Sequence, residues 1–224
     1  MRPSAPALRR ASIDAAIIDL DGTLVDTLGD FEAAIARMSA ELALPAVPRE
    51  FIARSIGWGS EHLVRAVLQH TGAAPSAFDA AWASYQRSYL AVNGAHSRIF
   101  PGVIEALDRF SASGLKLACV TNKPGAFTAP LLAGLALDRY FDVVYGGDAF
   151  ARKKPDPMPL IEACAALGTE PARTLMIGDS AVDAQAARGA GCRLALVRYG
   201  FSHGQPLEAL GADQLLDRID ELFA

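Results

Sequence analysis

The chain has little of what holds disulfides, soft metals or membranes. Three cysteines occur in 224 residues, Cys119, Cys164 and Cys192, and no two form a CxxC pair. That usage argues against a redox or metal role and predicts three reduced thiols in a cytosolic, cytoplasmic protein. The four histidines, His62, His70, His96 and His203, stand at no metal-ligand spacing and read as surface or polar-loop residues. No apolar run approaches the roughly 20 residues that a membrane span needs. The Pro- and Ala-rich start, MRPSAPALRRAS, lacks the continuous apolar stretch of a secretory signal and reads as a frayed tail. A net charge of -4 and the lack of a long basic run argue against a sequence-independent nucleic-acid binder.

What is present is apolar surface in short pieces. At 51% hydrophobic, 224 residues can bury the core of one large domain, or of one domain with an insertion. Strands are predicted at 14–20 (DAAIIDL), 115–120 (LKLACV), 141–145 (FDVVY), 174–177 (TLMI) and 193–197 (RLALV). Each is short, apolar and bounded by Gly, Asp, Asn or Pro, as a strand buried on both faces should be. Helical patterns at 103–113, 126–137, 157–167 and 181–190 lie between them. This alternation predicts an α/β fold, a doubly wound and mainly parallel sheet with helices on both faces.

One region breaks the alternation. Helical periodicity at 32–42, 61–69 and 77–90, with loops at 44–48, 57–59 and 71–75, predicts an all-helical insertion directly after the first strand. The expected division is a core of residues 1–26 plus 97–224 and a helical cap of residues 27–96.

In an open parallel sheet, ligands bind beyond the carboxyl ends of the strands. Asp19 and Asp21 follow the first strand, and Thr121 and Asn122 the second. Lys153 and Lys154 precede a helix, and Gly178, Asp179, Ser180 and Asp183 follow the fourth strand. Clustered carboxylates without histidine or thiolate suit a hard divalent cation, commonly Mg2+. A lysine and a threonine hydroxyl beside it suit phosphate oxygens. One aspartate can attack phosphorus, and a carboxyl two residues on can move the proton. Gly22 lets the chain turn after the strand.

Four motifs carry a resemblance: DLDGT at 19–23, VTN at 120–122, KKPDP at 153–157 and GDSAVD at 178–183. In this order they resemble the haloacid dehalogenase superfamily, in its phosphatase branch. TNKPGAF at 121–127, GGDAFARKKPDPMPL at 146–160, GDSAVDAQAARGAGC at 178–192 and VRYGFSHG at 197–204, followed by GADQLLD, are similar to the bacterial phosphoglycolate phosphatase family. The resemblance implies a Rossmann-like core with a mobile helical cap, Mg2+ as cofactor, and 2-phosphoglycolate as substrate. It implies Asp19 as nucleophile and metal ligand. Asp21 is the acid/base and a metal ligand through its carbonyl. Thr121 and Lys154 bind the phosphoryl group with Asn122 assisting, and Gly22 and Thr23 complete the first motif around the substrate. Asp179 is the third metal ligand, and Asp183 supports the metal shell or Lys154.

One departure lies in the cap. Related phosphatases often carry Gly-Asn-Gly where this chain has Gly57-Trp58-Gly59. A tryptophan there adds an aromatic wall and removes an amide, so a bulkier or less polar substrate stays open. Other small phosphorylated metabolites remain as alternatives: a sugar phosphate, an amino-sugar acid phosphate, a nucleotide or pyrophosphate. A phosphomutase lacks a clear cap signature. Asp21 argues against carbon–halogen hydrolysis, and the full set of polar residues argues against a binding protein that has lost catalysis. Arg54 and Arg65 flank the cap loop and read as surface charge, Lys153 as solvent-facing, and Asp26 or Thr27 as a helix N-cap. The partner is a small metabolite, with no nucleic acid and no membrane, and the chain is expected to be a monomer or homodimer.

Overall fold

The computed structural model describes residues 13–223, so the expected frayed tail falls outside the described residues. A six-stranded parallel sheet forms the centre, in the order β5-β4-β1-β6-β7-β8. Its strands are β1 (Ala15–Ile18), β4 (Lys116–Val120), β5 (Val143–Tyr145), β6 (Thr174–Gly178), β7 (Arg193–Val197) and β8 (Gln214–Leu216). Side chains along a strand alternate between faces, and these strands divide accordingly. Ala16 and Ile18 of β1, Cys119 of β4, Ile177 of β6 and Val197 of β7 join one apolar cluster. Ala15, Ile17, Val120, Met176 and Leu196 join the cluster on the other face. Both faces of the central strands are therefore buried, which is why they read as unbroken apolar runs.

Helix α5 (Val103–Ala112) packs its Val103, Ala106, Leu107 and Phe110 into the first cluster. So does α6 (Gly125–Gly134), through Leu131 and Leu132. Helices α7 (Met158–Leu167) and α8 (Ala181–Ala190) fill the second cluster with Leu160, Ala163, Ala184 and Ala187. The cysteines are free thiols, with Cys119 and Cys164 buried and Cys192 half-buried. Among the described residues no helix is long and apolar enough to cross a membrane.

Helices α1 (Leu28–Glu41), α2 (Arg49–Ser55), α3 (Ser60–His70) and α4 (Phe78–Val92) make the insertion. Phe31, Ile35, Met38, Leu63, Val67, Tyr85 and Tyr89 fill its interior, and Phe127 of α6 enters the same cluster from the sheet side. The chain enters through β2 (Val25–Asp26) and leaves through β3 (Arg98–Ile99), which pair antiparallel, Val25 with Ile99 and Asp26 with Arg98. Buried Asp30 ties the two legs together. Its carboxylate accepts from Gly94 N and His96 N, each at 2.7 Å, and from Ser97 Oγ.

Four details depart from the sequence expectation. Helix α2 and strand β8 were not expected, since one is two turns long and the other is three residues at the sheet edge. The β2–β3 ribbon has only two residues per strand, too few for a periodicity. Helix α1 starts at Leu28, earlier than expected, after Thr27 in the N-cap position; Asp26 Oδ1 accepts from Leu28 N at 3.2 Å.

Candidate active site

The carboxyl ends of β1, β4 and β6 place the functional side chains together. Asp19 continues the sheet, its N–H donating to Ile177 O at 2.9 Å. The chain then turns at Gly22, where φ is +87°. A Cβ there would stand 2.1 Å from Asp179 Oδ2, so both the backbone region and the space demand glycine. Gly200 approaches the same oxygen from the loop after β7, where a Cβ would stand 2.3 Å away. Gly22→Ala is expected to cost more than about 1 kcal/mol and to displace Asp179. Thermal unfolding and turnover assays on the variant check both effects.

Lys154 is the hub. Its Nζ donates to Asp19 Oδ1 at 2.8 Å, to Asp183 Oδ1 at 2.8 Å and to Val120 O at 2.7 Å. An ammonium has three N–H donors, so all of them are engaged. The side chain is 2% exposed, and burial works against its charge. The carboxylates of Asp183 and Asp19 outweigh that and hold its pKa above the ordinary value.

Asp183 Oδ2 accepts from Ser180 Oγ at 2.7 Å and from the backbone N–H groups of Ser180 and Asp179. Ser180 and Asp183 thus form the capping box of α8. Burial opposes ionisation of Asp183, but Lys154 and Ser180 hold its carboxyl below the usual range. Asp19 goes the other way. Burial pushes it up to about 7, Asp183 and Asp21 add to the shift, and Lys154 restrains it. Asp179 is driven well above the usual range by burial and by its neighbours Asp183 and Asp19.

Asp19, Asp179 and Asp183 each offer a carboxylate oxygen within 4.8 Å of the others. Asp179 Oδ2 accepts from Phe201 N, and Asp19 Oδ1 is taken by Lys154. Buried carboxylates this close repel unless a cation lies between them. An all-oxygen donor set fits a hard divalent ion.

Asn122 Nδ2 donates to Lys154 O at 2.7 Å and to Gly57 O of the insertion at 2.9 Å. It spans the seam between the insertion and the sheet. A narrow cavity opens at this seam, and Asp19, Asp21, Thr121, Asn122, Gly57 and Ser60 are among its lining residues. Thr23 is fully buried beneath the turn, with no hydrogen-bond partner for its hydroxyl.

Trp58 does not wall this cavity. Its ring lies 5.9 Å from that of His62 and 6.0 Å from that of His203, outside the lining. The positive φ of Gly57 and Gly59 on either side turns the loop so that its backbone, and not the indole, meets the site. His203 is half-buried and bonds Ile56 O through Nε2, a tether across the seam. Lys153 is half-buried too, where solvent exposure was expected, and its Nζ would meet a Cβ at Gly59 at 2.7 Å. Arg54 and Arg65 are exposed, and Arg65 stacks 3.5 Å above the Phe78 ring.

Lys123 is the residue that motif reading missed. It stands between Asn122 and the helix-start Pro124, and so passed as part of a helix entry. Its side chain is buried and paired with Asp21 Oδ1 at 3.0 Å. Tyr89 and Phe31, which hold it, are read from sequence only as the apolar stripe of a helix.

The haloacid dehalogenase-like hydrolase family model matches residues 16–197. A phosphoglycolate phosphatase of Thiobacillus denitrificans is 45% identical over 212 residues, covering 93% of this chain and 93% of its own. The plasmid phosphoglycolate phosphatase of Cupriavidus necator is 46% identical over 212 residues, covering 94% of this chain and 91% of its own. Among solved structures, a predicted phosphoglycolate phosphatase from Haemophilus somnus has a TM-score of 0.91 at 28% identity and covers 95% of this chain and 97% of that one.

Proposed function

The chain belongs to the haloacid dehalogenase-like hydrolase family, and from that premise we propose that it hydrolyses 2-phosphoglycolate through a phospho-aspartate on Asp19. The observation that carries this reading is the shared site of Asp19, Asp21, Lys154 and Asp179 in one buried cluster at the strand ends.

Asp19 offers Oδ2 to phosphorus, while Oδ1 stays anchored on Lys154. The Asp19–phosphorus bond forms and the bond from phosphorus to the ester oxygen breaks. Asp21 gives its proton to that oxygen, so glycolate leaves as the alcohol. Asp21 then takes a proton from water, whose oxygen attacks phosphorus, and inorganic phosphate is released with Asp19 restored. Thr121 and the loop through Asn122 hold the phosphoryl oxygens. Lys154 neutralises part of the charge that gathers around Asp19.

Mg2+ is the proposed cation, held by Asp19, Asp179 and the Asp21 carbonyl, with Asp183 behind them; when bound it neutralises phosphoryl oxygens and keeps the aspartates ionised. The insertion serves as a cap that excludes bulk water from the seam. The relatives named phosphoglycolate phosphatase support the substrate.

The test is phosphate release from 2-phosphoglycolate, sugar phosphates, nucleotides and pyrophosphate, each with Mg2+ and with EDTA. The expected result is highest kcat/KM on 2-phosphoglycolate, loss of activity in EDTA and recovery when Mg2+ is restored. A sugar phosphate in first place overturns the substrate, and full activity in EDTA overturns the metal.

A further inference from the structure

Lys123 is a buried cation to which the reaction steps above give no task. Its Nζ donates to Asp21 Oδ1 at 3.0 Å, to Asp21 Oδ2 at 3.3 Å and to the Tyr89 hydroxyl. It also lies 4.5 Å from the ring centroids of both Phe31 and Tyr89. The contrast with Lys154 is one of donors. Lys154 gives its three N–H groups to three separate protein groups. Lys123 bonds only two groups: the two oxygens of the Asp21 carboxylate, at 3.0 and 3.3 Å, share one N–H, the Tyr89 hydroxyl takes a second, and the third donor is left uncommitted for a ligand. Among the described residues lining the cavity it is the sole cation.

We infer that Lys123 determines specificity by taking a second anion of the substrate, a carboxylate one methylene away from the ester oxygen. The inference rests on the phosphatase reading and deepens it. Asp21 must touch the ester oxygen to protonate it. Lys123 is bonded to Asp21, so whatever Asp21 touches lies next to the ammonium. In 2-phosphoglycolate a single methylene separates ester oxygen and carboxylate. With the first at Asp21, the second falls within reach of the uncommitted donor.

The surroundings favour such a pair. Phe31, Ile56 and Leu63 make the apolar part of the lining. They suit a lone methylene and keep water from screening the charges. Tyr89 and the two aromatic faces fix the ammonium in place before substrate arrives, so little ordering remains for binding to impose. A neutral ester leaves that donor unmatched, which is a stronger basis for discrimination than a missing methylene.

The experiment compares kcat/KM for 2-phosphoglycolate and ethyl phosphate in saturating Mg2+, on wild type, Lys123→Met and Lys123→Arg. The wild type is expected to prefer 2-phosphoglycolate. Lys123→Met should lower that preference about 100-fold, chiefly through KM, and Lys123→Arg should restore part of it. If Lys123 only positions Asp21, both esters lose kcat together and the preference stays constant, which overturns the inference. A second measurement needs no variant: the methyl ester of 2-phosphoglycolate keeps the shape and loses the charge. Its KM on wild type should rise about 100-fold, and an unchanged KM again overturns the inference. A wild type that cleaves both esters without preference removes the carboxylate role and leaves the phosphatase reading standing. A wild type that cleaves neither removes both.

Discussion

Asp19→Asn is expected to lower kcat by about 10^4-fold or more and, at the same time, to stabilise the metal-free protein. The amide has nearly the same shape, and its oxygen still accepts from Lys154, but it is no nucleophile. The stability gain follows from the direction of the Asp19 shift. Its folded pKa is about 7, against 3.8 for the free group, with burial as the chief cause. The folded chain therefore binds the proton more tightly than the unfolded chain. Stability contributed by the neutral carboxyl is present at low pH and falls as pH rises through the window between those two values. Above it, the wild type carries a buried charge that the amide lacks. Melting temperatures in EDTA at about pH 5 and about pH 8 measure this. The advantage of Asp19→Asn should widen with pH. A variant that retains activity ends the nucleophile role, and one that is less stable than wild type at both pH values makes Asp19 a structural anchor instead.

Lys154→Ala is expected to be the most destabilising single change at the site, by about 3–5 kcal/mol near neutral pH, and to abolish turnover. It removes one donor from each of three buried acceptors, Asp19, Asp183 and Val120 O. Two buried carboxylates are left without their counter-charge. Asp183 is held below the usual range against its burial mainly by Lys154, so without Lys154 burial prevails and its carboxyl shifts upward. In wild type, a depressed carboxyl contributes stability above its unfolded pKa and loses it as pH falls. The cost of Lys154→Ala should therefore shrink on acidification, when both carboxyls take up protons. Urea unfolding across pH reads this directly, and a cost independent of pH would refute it. Lys154→Arg should not rescue activity, because a planar fork cannot serve three acceptors arranged around a tetrahedral ammonium.

The two predictions separate because the sequence carries different kinds of information. Strands β1, β4, β6 and β7 are visible as apolar runs, since burial on both faces confines their polar residues to the first positions, Lys116, Thr174 and Arg193. The residues just past their ends are visible for the opposite reason, as polar groups where the pattern should stay apolar. Asp19, Thr121, Asn122 and Asp179 are of this kind. Lys123 is not, because its meaning depends on Tyr89 and Phe31, 34 and 92 positions away as the numbering runs. Those aromatics sit at helical spacing on α4 and α1, where a stripe that lines a site cannot be told from one that fills a core. Trp58 misleads for a related reason. Its place in the loop is legible, but the direction of its ring is set by the two flanking glycines and by His203, which lies beyond β7. Strand β8 shows too few residues to display any period.

The Asp30 tie between the two legs of the insertion has a consequence for how such a protein can diversify. The chain leaves the sheet and returns to it at one place, closed by β2 pairing with β3 and by Asp30 bonding Gly94, His96 and Ser97. Strand register around Asp19 is set by β1 pairing with β4 and β6, all outside the insertion. The entropy of closing such a loop grows only slowly with its length. Length can accordingly change between α1 and α2, or between α3 and α4, away from the seam, with little effect on the sheet. Change at the seam is different, because Lys123 is bonded to Asp21 there and selectivity and reactivity move together.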